Sequence, residues 1–500
     1  MKPPPLNEQL IRLFEDNGSR PLFITETGEQ YTYAETLGAA ETGVNFLSAE
    51  GLCVGDRIGI ELSNGPEFAI LYLACLLGGF TVVPLNNALP EKDRDLMLEG
   101  TRIKLLLAGP SLSTTTCPVL NPPSFSPTES CAAFQLLNEI KPERLFAITF
   151  TSGTTSRPKG VSHEVGTLLG NADAFNQQYG INQEHRMLHI MPMGYMAGLL
   201  NAILCPLMAG ASIVLAPEFG PSSVLNFWEP AIRNGVNLFW ASPTMLETLN
   251  RLDRDARGTE YCRQVGLQVF CATAPLPLKT RQTFEQKYGV LVVESYGLSE
   301  LLLLTANLGE AGTKNQSVGP SLSNVAIRIC NKSGEDLPAD SEAAIKVRTP
   351  YRSSGYLDFE SGNPVPPKDE WFNTGDLGYL DADGYLFVTG RCKDLIVRGG
   401  FNYSPRTIEE ALLSHEVVEE VAVIGVPHSF YGEEIAAIVL LSDGCLLPDE
   451  ENALRLHCRD TLGPNYVPDR FMQTDCLPKG PTGKIQKELL RKRRDFHVFK

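Results

Sequence analysis

The sequence predicts an α/β protein in two unequal parts. A large N-terminal domain, residues 1–392, holds α/β subdomains and a small β subdomain; residues 393–500 form a small α+β C-terminal domain. Three observations carry this expectation. Apolar runs of strand length alternate with longer amphipathic segments through most of the chain, the signature of a mostly parallel sheet. From Ser317 to Val388 that alternation gives way to short strands and turns. After Gly390 the helix and strand patterns resume over a stretch long enough to fold by itself.

Taken in order, the first 110 residues alternate helix with strand: DRIGIEL from Asp56, PEFAILYLACLL from Pro66, FTVVPL from Phe80. The apolar stretch beginning at Phe68 is broken by Gly78-Gly79, so it reads as buried helix, turn and strand rather than a membrane span. Ser111 to Ser130, rich in Pro, Ser and Thr, reads as a surface loop. A second α/β run spans Arg186 to Val293, with strands at MLHIMPM, ASIVLAP, NLFWASP, LQVFCATAP and VLVVESYG. The β subdomain includes AIRIC, AAIKVRT and GYLFVTG. The C-terminal part contributes a helical segment, RTIEEALLSHEVVEE, then strands VAVIGVP and EIAAIVLL, then a helix from Glu450 to Leu462.

Composition narrows the function. Apolar residues at 43% and charged residues at 20% are ordinary for a globular protein. A net charge of −16 argues against a nucleic-acid or anionic-membrane binder, so any phosphate-bearing ligand needs a local site. The terminal basic run Arg491 to Arg494 reads as a solvated helix end. Twelve cysteines without CxxC spacing read as reduced thiols in a cytoplasmic protein, and MKPPPLNEQL carries no signal-peptide pattern.

One such local site is FTSGTTSRPKG, Phe150 to Gly160. An apolar strand, ERLFAIT, precedes it, and the chain from Val161 on reads as helix. Small residues let backbone N–H groups approach phosphate oxygens, hydroxyls add donors, and Lys159 adds charge. A Walker loop needs Gly-Lys-Ser/Thr opening the helix; here Pro158 precedes the lysine and Gly160 follows it. A plain polar turn is the alternative until other motifs join it.

Four do: ESYGLSE (Glu294 to Glu300), TGDLGYLDADGYLFVTGR (Thr374 to Arg391), KDLIVRGGFNYSP (Lys393 to Pro405) and PKGPTGKIQK (Pro478 to Lys487). Together and in this order they resemble the adenylate-forming superfamily of acyl- and aryl-CoA synthetases, adenylation domains and luciferases, from YTYAETL at Tyr31 to Lys484. The resemblance implies ATP and Mg2+ as cofactors, a small carboxylic acid as substrate, and an acyl-adenylate intermediate. Displacing pyrophosphate from ATP gives the acid a leaving group; such chemistry demands charge stabilisation and positioning.

The same resemblance implies roles. Thr151, Ser152, Gly153, Thr154, Thr155 and Lys159 clamp the β- and γ-phosphates; Ser156 stands where a glycine is usual. In ESYGLSE, Tyr296 stacks on adenine between Ser295 and Gly297, Ser299 offers a hydroxyl to the α-phosphate, and Glu300, with Thr155, binds the metal. Ala272, Thr273 and Ala274 face adenine where glycines are common. Asp376, an acceptor-only carboxylate, takes the ribose hydroxyls, and Arg391 is a second ribose or phosphate contact. Lys484 bridges substrate carboxylate and α-phosphate. Lys393 is the hinge of a mobile C-terminal domain, whose rotation withdraws Lys484 and presents Gly399, Gly400 and Phe401 as a thiol channel.

PMGYMAGLL (Pro192 to Leu200) lacks the aspartate that amino-acid-activating members use, which favours an acid without a free α-amino group. Tyr195, Met196, Gly198, Trp240 and Leu301 are the expected walls of an apolar pocket. GGFNYSP points to coenzyme A as acceptor; a carrier-protein phosphopantetheine would use the same channel. A luciferase-type oxidative enzyme would share every motif. A dead nucleotide-binding regulator would be expected to lose Lys484 or Glu300.

Overall fold

The computed structural model describes residues 4–110, 112, 114, 116–128, 133–151, 158–309, 312–442, 448–480 and 484–492. Two eight-stranded sheets dominate the first 390 residues. One runs, edge to edge, Pro364–Val365, Gly355–Leu357, Lys159–Glu164, Leu145–Thr151, Thr81–Pro84, Arg57–Glu61, Leu105–Ala108, Val119–Leu120. Its inner pairs Arg57–Glu61/Thr81–Pro84 and Arg57–Glu61/Leu105–Ala108 are parallel, and both strands flanking Arg57–Glu61 are fully buried, as sheets covered on both faces require. The other runs Leu302–Ala306, Val292–Leu298, Gln268–Cys271, Leu238–Ala241, Arg186–His189, Ser212–Leu215, Pro21–Thr25, Gln30–Thr32.

Between the sheets lie helices such as Tyr33–Ala49, opened by a capping box in which Thr32 and Glu35 exchange hydrogen bonds, and Pro66–Gly78. A Cβ on Gly43 would lie 2.8 Å from that of Ala74, so these two helices approach at glycine distance. Pro66–Gly78 is buried from Phe68 through Leu77 and is a core helix. No helix is long and apolar enough to cross a membrane, among the described residues.

The β subdomain is a five-stranded sheet in the order Gly319–Pro320, Tyr385–Arg391, Phe372–Leu380, Ala343–Arg348, Ala326–Cys330. Two strands within the span assigned to it leave it. Gly355–Leu357 and Pro364–Val365 extend the edge of the first large sheet, pairing at Tyr356↔Val161. Periodicity cannot reveal this, because a short strand carries no record of its partner.

After Asp394, Ile396–Arg398, Phe401–Tyr403, Val418–His428, Gly432–Leu441 and Arg470–Gln473 form a sheet against helices Pro405–Leu413 and Pro448–Leu462. The helix expected across RTIEEALLSHEVVEE stops at Leu413, and Val418 already begins the long strand. The main apolar cluster joins both large sheets and reaches Val388; the C-terminal clusters begin at Ile396. Polar contacts join the two sides. Ser404 Oγ donates to the Thr389 carbonyl at 2.8 Å, Gln316 Nε2 to Glu410 Oε2 at 3.0 Å, Arg406 Nη1 to the Val388 carbonyl, and Arg251 pairs with Glu419. The expected solvated end of the basic run is partly paired: Arg491 contacts Glu488 at 2.7 Å and Asp394 at 3.3 Å.

Candidate active site

The hydroxyl-rich loop connects two antiparallel strands. Thr151, half-buried, ends Leu145–Thr151 and pairs with Lys159, exposed, at the start of Lys159–Glu164. The helix expected from Val161 begins only at Val165. Gly160 through His163 are buried because this strand lies between two others, and KGVSH satisfies a two-sided strand as well as a helix. Among the described residues the motif is thus followed by a strand, and the next helix N-terminus lies at Val165. Ser152, Gly153, Thr154 and Thr155 lie outside the described residues.

Glu300 sits in the hairpin between Val292–Leu298 and Leu302–Ala306, with Ser299 and Leu301 as its neighbours in the turn. Leu302 has φ 62°, the left-handed residue that closes a three-residue hairpin and is ordinarily glycine. Gly297 has to be glycine, because a Cβ there would come within 2.3 Å of the Leu302 carbonyl oxygen. Glu300 is half-buried; its Oε1 accepts from the Tyr356 hydroxyl at 2.6 Å, and Lys159 Nζ lies 5.2 Å from the centre of the same ring. The backbone of Ser299 faces buried His163, whose imidazole is pushed down to about 4 chiefly by burial and so stays neutral.

A second cluster forms where the β subdomain meets the C-terminal part. Asp376 and Arg391 are cross-strand partners, and Arg391 Nε lies 3.0 Å from Asp376 Oδ1. Tyr296 donates to Asp376 Oδ2 at 2.7 Å. Asp376 is only 3% exposed, so both oxygens are held in place by protein. The Tyr296 phenol is raised by burial first and then by the Asp376 charge, which keeps it the donor. Ser295 is anchored separately, its hydroxyl donating to the Thr305 carbonyl at 2.7 Å.

Lys484 comes from the far end of the chain to this cluster. Its side chain is open to solvent, yet enough protein surrounds the ammonium to lower its pKa to about 8. Desolvation is the largest cause, then the Arg391 charge, partly offset by Asp376. Lys393, exposed in the short 3₁₀ turn Cys392–Asp394 that follows the Arg391 strand, adds to the lowering.

Other expected residues are placed elsewhere. Gly399 and Gly400 have φ 59° and 86° and form the two-residue turn between Ile396–Arg398 and Phe401–Tyr403, where both positions need left-handed backbone. Phe401 beside them is 70% exposed. Their hairpin bonds within the C-terminal part, Gly399 N–H to the Tyr431 carbonyl and Arg398 to Asp469. Thr273 holds φ 77° between half-buried Ala272 and Ala274, so the segment keeps a glycine-like backbone without the glycine.

Tyr195 and Met196 are half-buried and lead into a wide helical turn, Ala197–Leu204, in which Cys205 N–H bonds five residues back to Leu200. Such π-type turns recur at functional sites. A Cβ on Gly198 would lie 2.2 Å from the Pro192 carbonyl oxygen, and its own carbonyl meets His189 Nε2 at 3.1 Å. Burial, and then the Glu218 charge, raises the Tyr195 phenol to about 12. Leu301 and Trp240 are in the main core; Trp240 stacks on Phe270 at 4.8 Å, and its buried Nε1 has no hydrogen-bond partner among the described residues.

Sequence reading missed Tyr356, His189 and Glu218. His189 carried a faint signal, a lone imidazole in an apolar strand. Tyr356 and Glu218 carried none, because each acts across a contact between distant segments.

Comparison with known proteins bears on the family and the fold. Residues 13–357 match the model of the AMP-binding enzyme family, and residues 407–484 that of the AMP-binding enzyme C-terminal domain. A sulfoacetate–CoA ligase of Cupriavidus necator is 30% identical, with 91% of this chain and 92% of that protein covered. An oxalate–CoA ligase of Arabidopsis thaliana is 31% identical, with 89% and 90% covered. Among solved structures, ATP-bound MatB from Rhodopseudomonas palustris superposes with a TM-score of 0.84, at 27% identity and covering 99% of this chain and 100% of that one; its apo form gives 0.73.

Proposed function

Because the chain belongs to the AMP-binding enzyme family and is an AMP-forming acid–thiol ligase, we propose that it activates a monocarboxylic acid with an uncharged body, using Lys484, Asp376, Arg391 and Glu300. The reaction has two halves. Carboxylate oxygen attacks the α-phosphorus of ATP and pyrophosphate leaves; the thiol of coenzyme A then attacks the acyl carbon and AMP leaves.

The observation that carries the assignment is the delivery of Lys484 to the Asp376–Arg391 pair. After desolvation, Arg391 and Lys393 lower the Lys484 pKa while Asp376 and Asp394 raise it, and the value stays below that of an ordinary lysine despite both carboxylates, a setting that suits an incoming anion. Asp376, held by Tyr296 and Arg391, presents an acceptor for ribose hydroxyls, and Lys484 then lies where carboxylate and α-phosphate meet. The closer match to the ATP-bound relative than to its apo form supports reading the present placement of the lobes as the adenylating one. We place the domain boundary at Lys393, with the exposed Cys392–Asp394 turn as pivot, and assign the Gly399–Phe401 turn to the second half-reaction.

Glu300 suits a magnesium ion. The described residues contain no group of three or more His, Cys, Asp or Glu able to hold a metal. A single half-buried carboxylate matches a cation that takes its remaining ligands from phosphates and water. When bound, Mg2+ neutralises charge on the phosphates; Glu300 orients it from the hairpin, with Thr155 assigned beside it from the sequence.

Tyr195, Met196, Gly198, Trp240 and Leu301 are proposed to form the acid pocket, Trp240 offering its unpaired indole N–H. Half-buried Glu218, whose charge acts on Tyr195, disfavours a second anionic group in the acid. The test is pyrophosphate exchange across aliphatic and aryl monocarboxylates, dianions such as oxalate and sulfoacetate, and α-amino acids, followed by transfer to coenzyme A or to a phosphopantetheinylated carrier protein. Monocarboxylates should give the highest specificity constants and coenzyme A the product. A dianion or an amino acid at the top would overturn the pocket assignment.

A further inference from the structure

Tyr356 has no part in the assignments above, yet it lies between two of their charged groups. It sits on the short strand Gly355–Leu357, opposite Val161 and next to the strand that begins at Lys159. Gly355 before it has φ 131°, and a Cβ there would come within 1.8 Å of the Val365 carbonyl oxygen, so the backbone at this point is closely constrained. The ring is 37% exposed, so little of its placement is explained by burial. Its hydroxyl donates to Glu300 Oε1 at 2.6 Å, while Lys159 Nζ lies 5.2 Å from the ring centre.

The chemistry of the three groups explains the arrangement. A free lysine near a free carboxylate tends to pair with it, and that pair would cancel the negative charge a metal needs and the positive charge a phosphate needs. A phenol between them avoids this. It steadies one carboxylate oxygen with a hydrogen bond while leaving the carboxylate anionic, and its ring face attracts the ammonium without neutralising it.

We propose that Tyr356 is a positioning residue: it orients Glu300 for the metal–nucleotide complex and keeps Lys159 from collapsing onto that carboxylate. This rests on the adenylating reading of the site, and the experiment separates the two. Tyr356→Phe keeps the ring between Lys159 and Glu300 but removes the hydrogen bond. The half-saturating Mg2+ concentration in pyrophosphate exchange should rise about tenfold, the scale of one lost hydrogen bond to a charged group. ATP affinity measured by calorimetry in EDTA should stay unchanged. Tyr356→Ala removes the spacer as well, so metal-free ATP affinity should also fall severalfold, and Glu300→Gln added to Tyr356→Ala should restore it by removing Lys159's competing partner.

Unchanged Mg2+ dependence in Tyr356→Phe overturns the orienting role. Failure of the double variant to recover metal-free ATP affinity overturns the spacing role. Should Tyr356→Ala not fold, Tyr356→Phe and Glu300→Gln alone decide: Glu300→Gln should bind metal-free ATP no more weakly than wild type, and weaker binding counts against the spacing. Absence of exchange by the wild-type chain with every acid would instead refute the adenylating reading itself.

Discussion

In the role proposed for Lys484, its lowered pKa should make the first half-reaction sensitive to pH. Lysine helps adenylation only when protonated, and here the midpoint falls from 10.5 to about 8. A group with that midpoint is about 90% charged at pH 7 and about 10% charged at pH 9. The specificity constant for ATP in pyrophosphate exchange should therefore bend near pH 8 and fall about tenfold per unit above it, since this constant reports the free enzyme. Lys484→Ala should lower the plateau about a hundred- to a thousandfold, the scale of one preorganised electrostatic contact, and abolish the bend. Transfer from synthetic acyl-adenylate to coenzyme A should keep its rate in that variant. The assay is exchange from pH 6.5 to 9.5 at constant ionic strength, with the transfer step measured in parallel. A bend near pH 8 that survives in Lys484→Ala would show that another group titrates and that the reasoning is wrong. The lysine also carries a stability term: its folded pKa lies below the unfolded value, so the unfolded chain holds more protons between about pH 8 and 10.5. Folding thus gains from this group as pH rises through that window.

Lys393→Pro should reverse the Lys484→Ala pattern, sparing adenylation and depressing thioester formation at least tenfold, because a fixed φ in the Cys392–Asp394 turn obstructs rotation; equal loss of both half-reactions with folding intact would count against the hinge. Thr273→Gly should raise stability by about 0.5 kcal/mol in urea unfolding, since relief of about 1–2 kcal/mol of left-handed strain outweighs the added freedom of the unfolded chain. A loss of more than about 1 kcal/mol there would mean the exposed threonine makes a contact worth more than its strain. Trp240→Ala should cost about 3–5 kcal/mol in the same measurement, as for other large core side chains, and a cost under about 1 kcal/mol would remove it from the core.

What the sequence made legible depended on how local the physics was. Asp376 and Arg391 stand in one motif and face each other because a hairpin folds it back on itself. Glu300 was legible through resemblance to the family motif, and the structure sets it in the turn between two paired strands. Lys484, like Asp376, Arg391 and Glu300, was given its role through resemblance, since a lysine in a Pro- and Gly-rich loop looks like surface until the loop has a partner. The strand after the phosphate loop was misread as helix because KGVSH fits either period, and the neighbour that decides it, Gly355–Leu357, arrives almost two hundred residues later. Tyr356 was invisible for the same reason. Gly399 and Gly400 were noticed for room beside a thiol, whereas their backbone angles show that the turn itself demands them.

The apolar clusters divide between Val388 and Ile396, on either side of the pivot proposed at Lys393. Contacts between the two sides, such as Gln316 to Glu410 and Arg251 to Glu419, are ones that water would replace group for group in the rotation proposed about Lys393. Separating apolar surfaces would set a steep, temperature-sensitive penalty, and exchanging polar partners for hydration would cost less. Under that proposal ligand would set which arrangement is occupied, and dissolved salt, which weakens exposed ion pairs, would shift the balance between them.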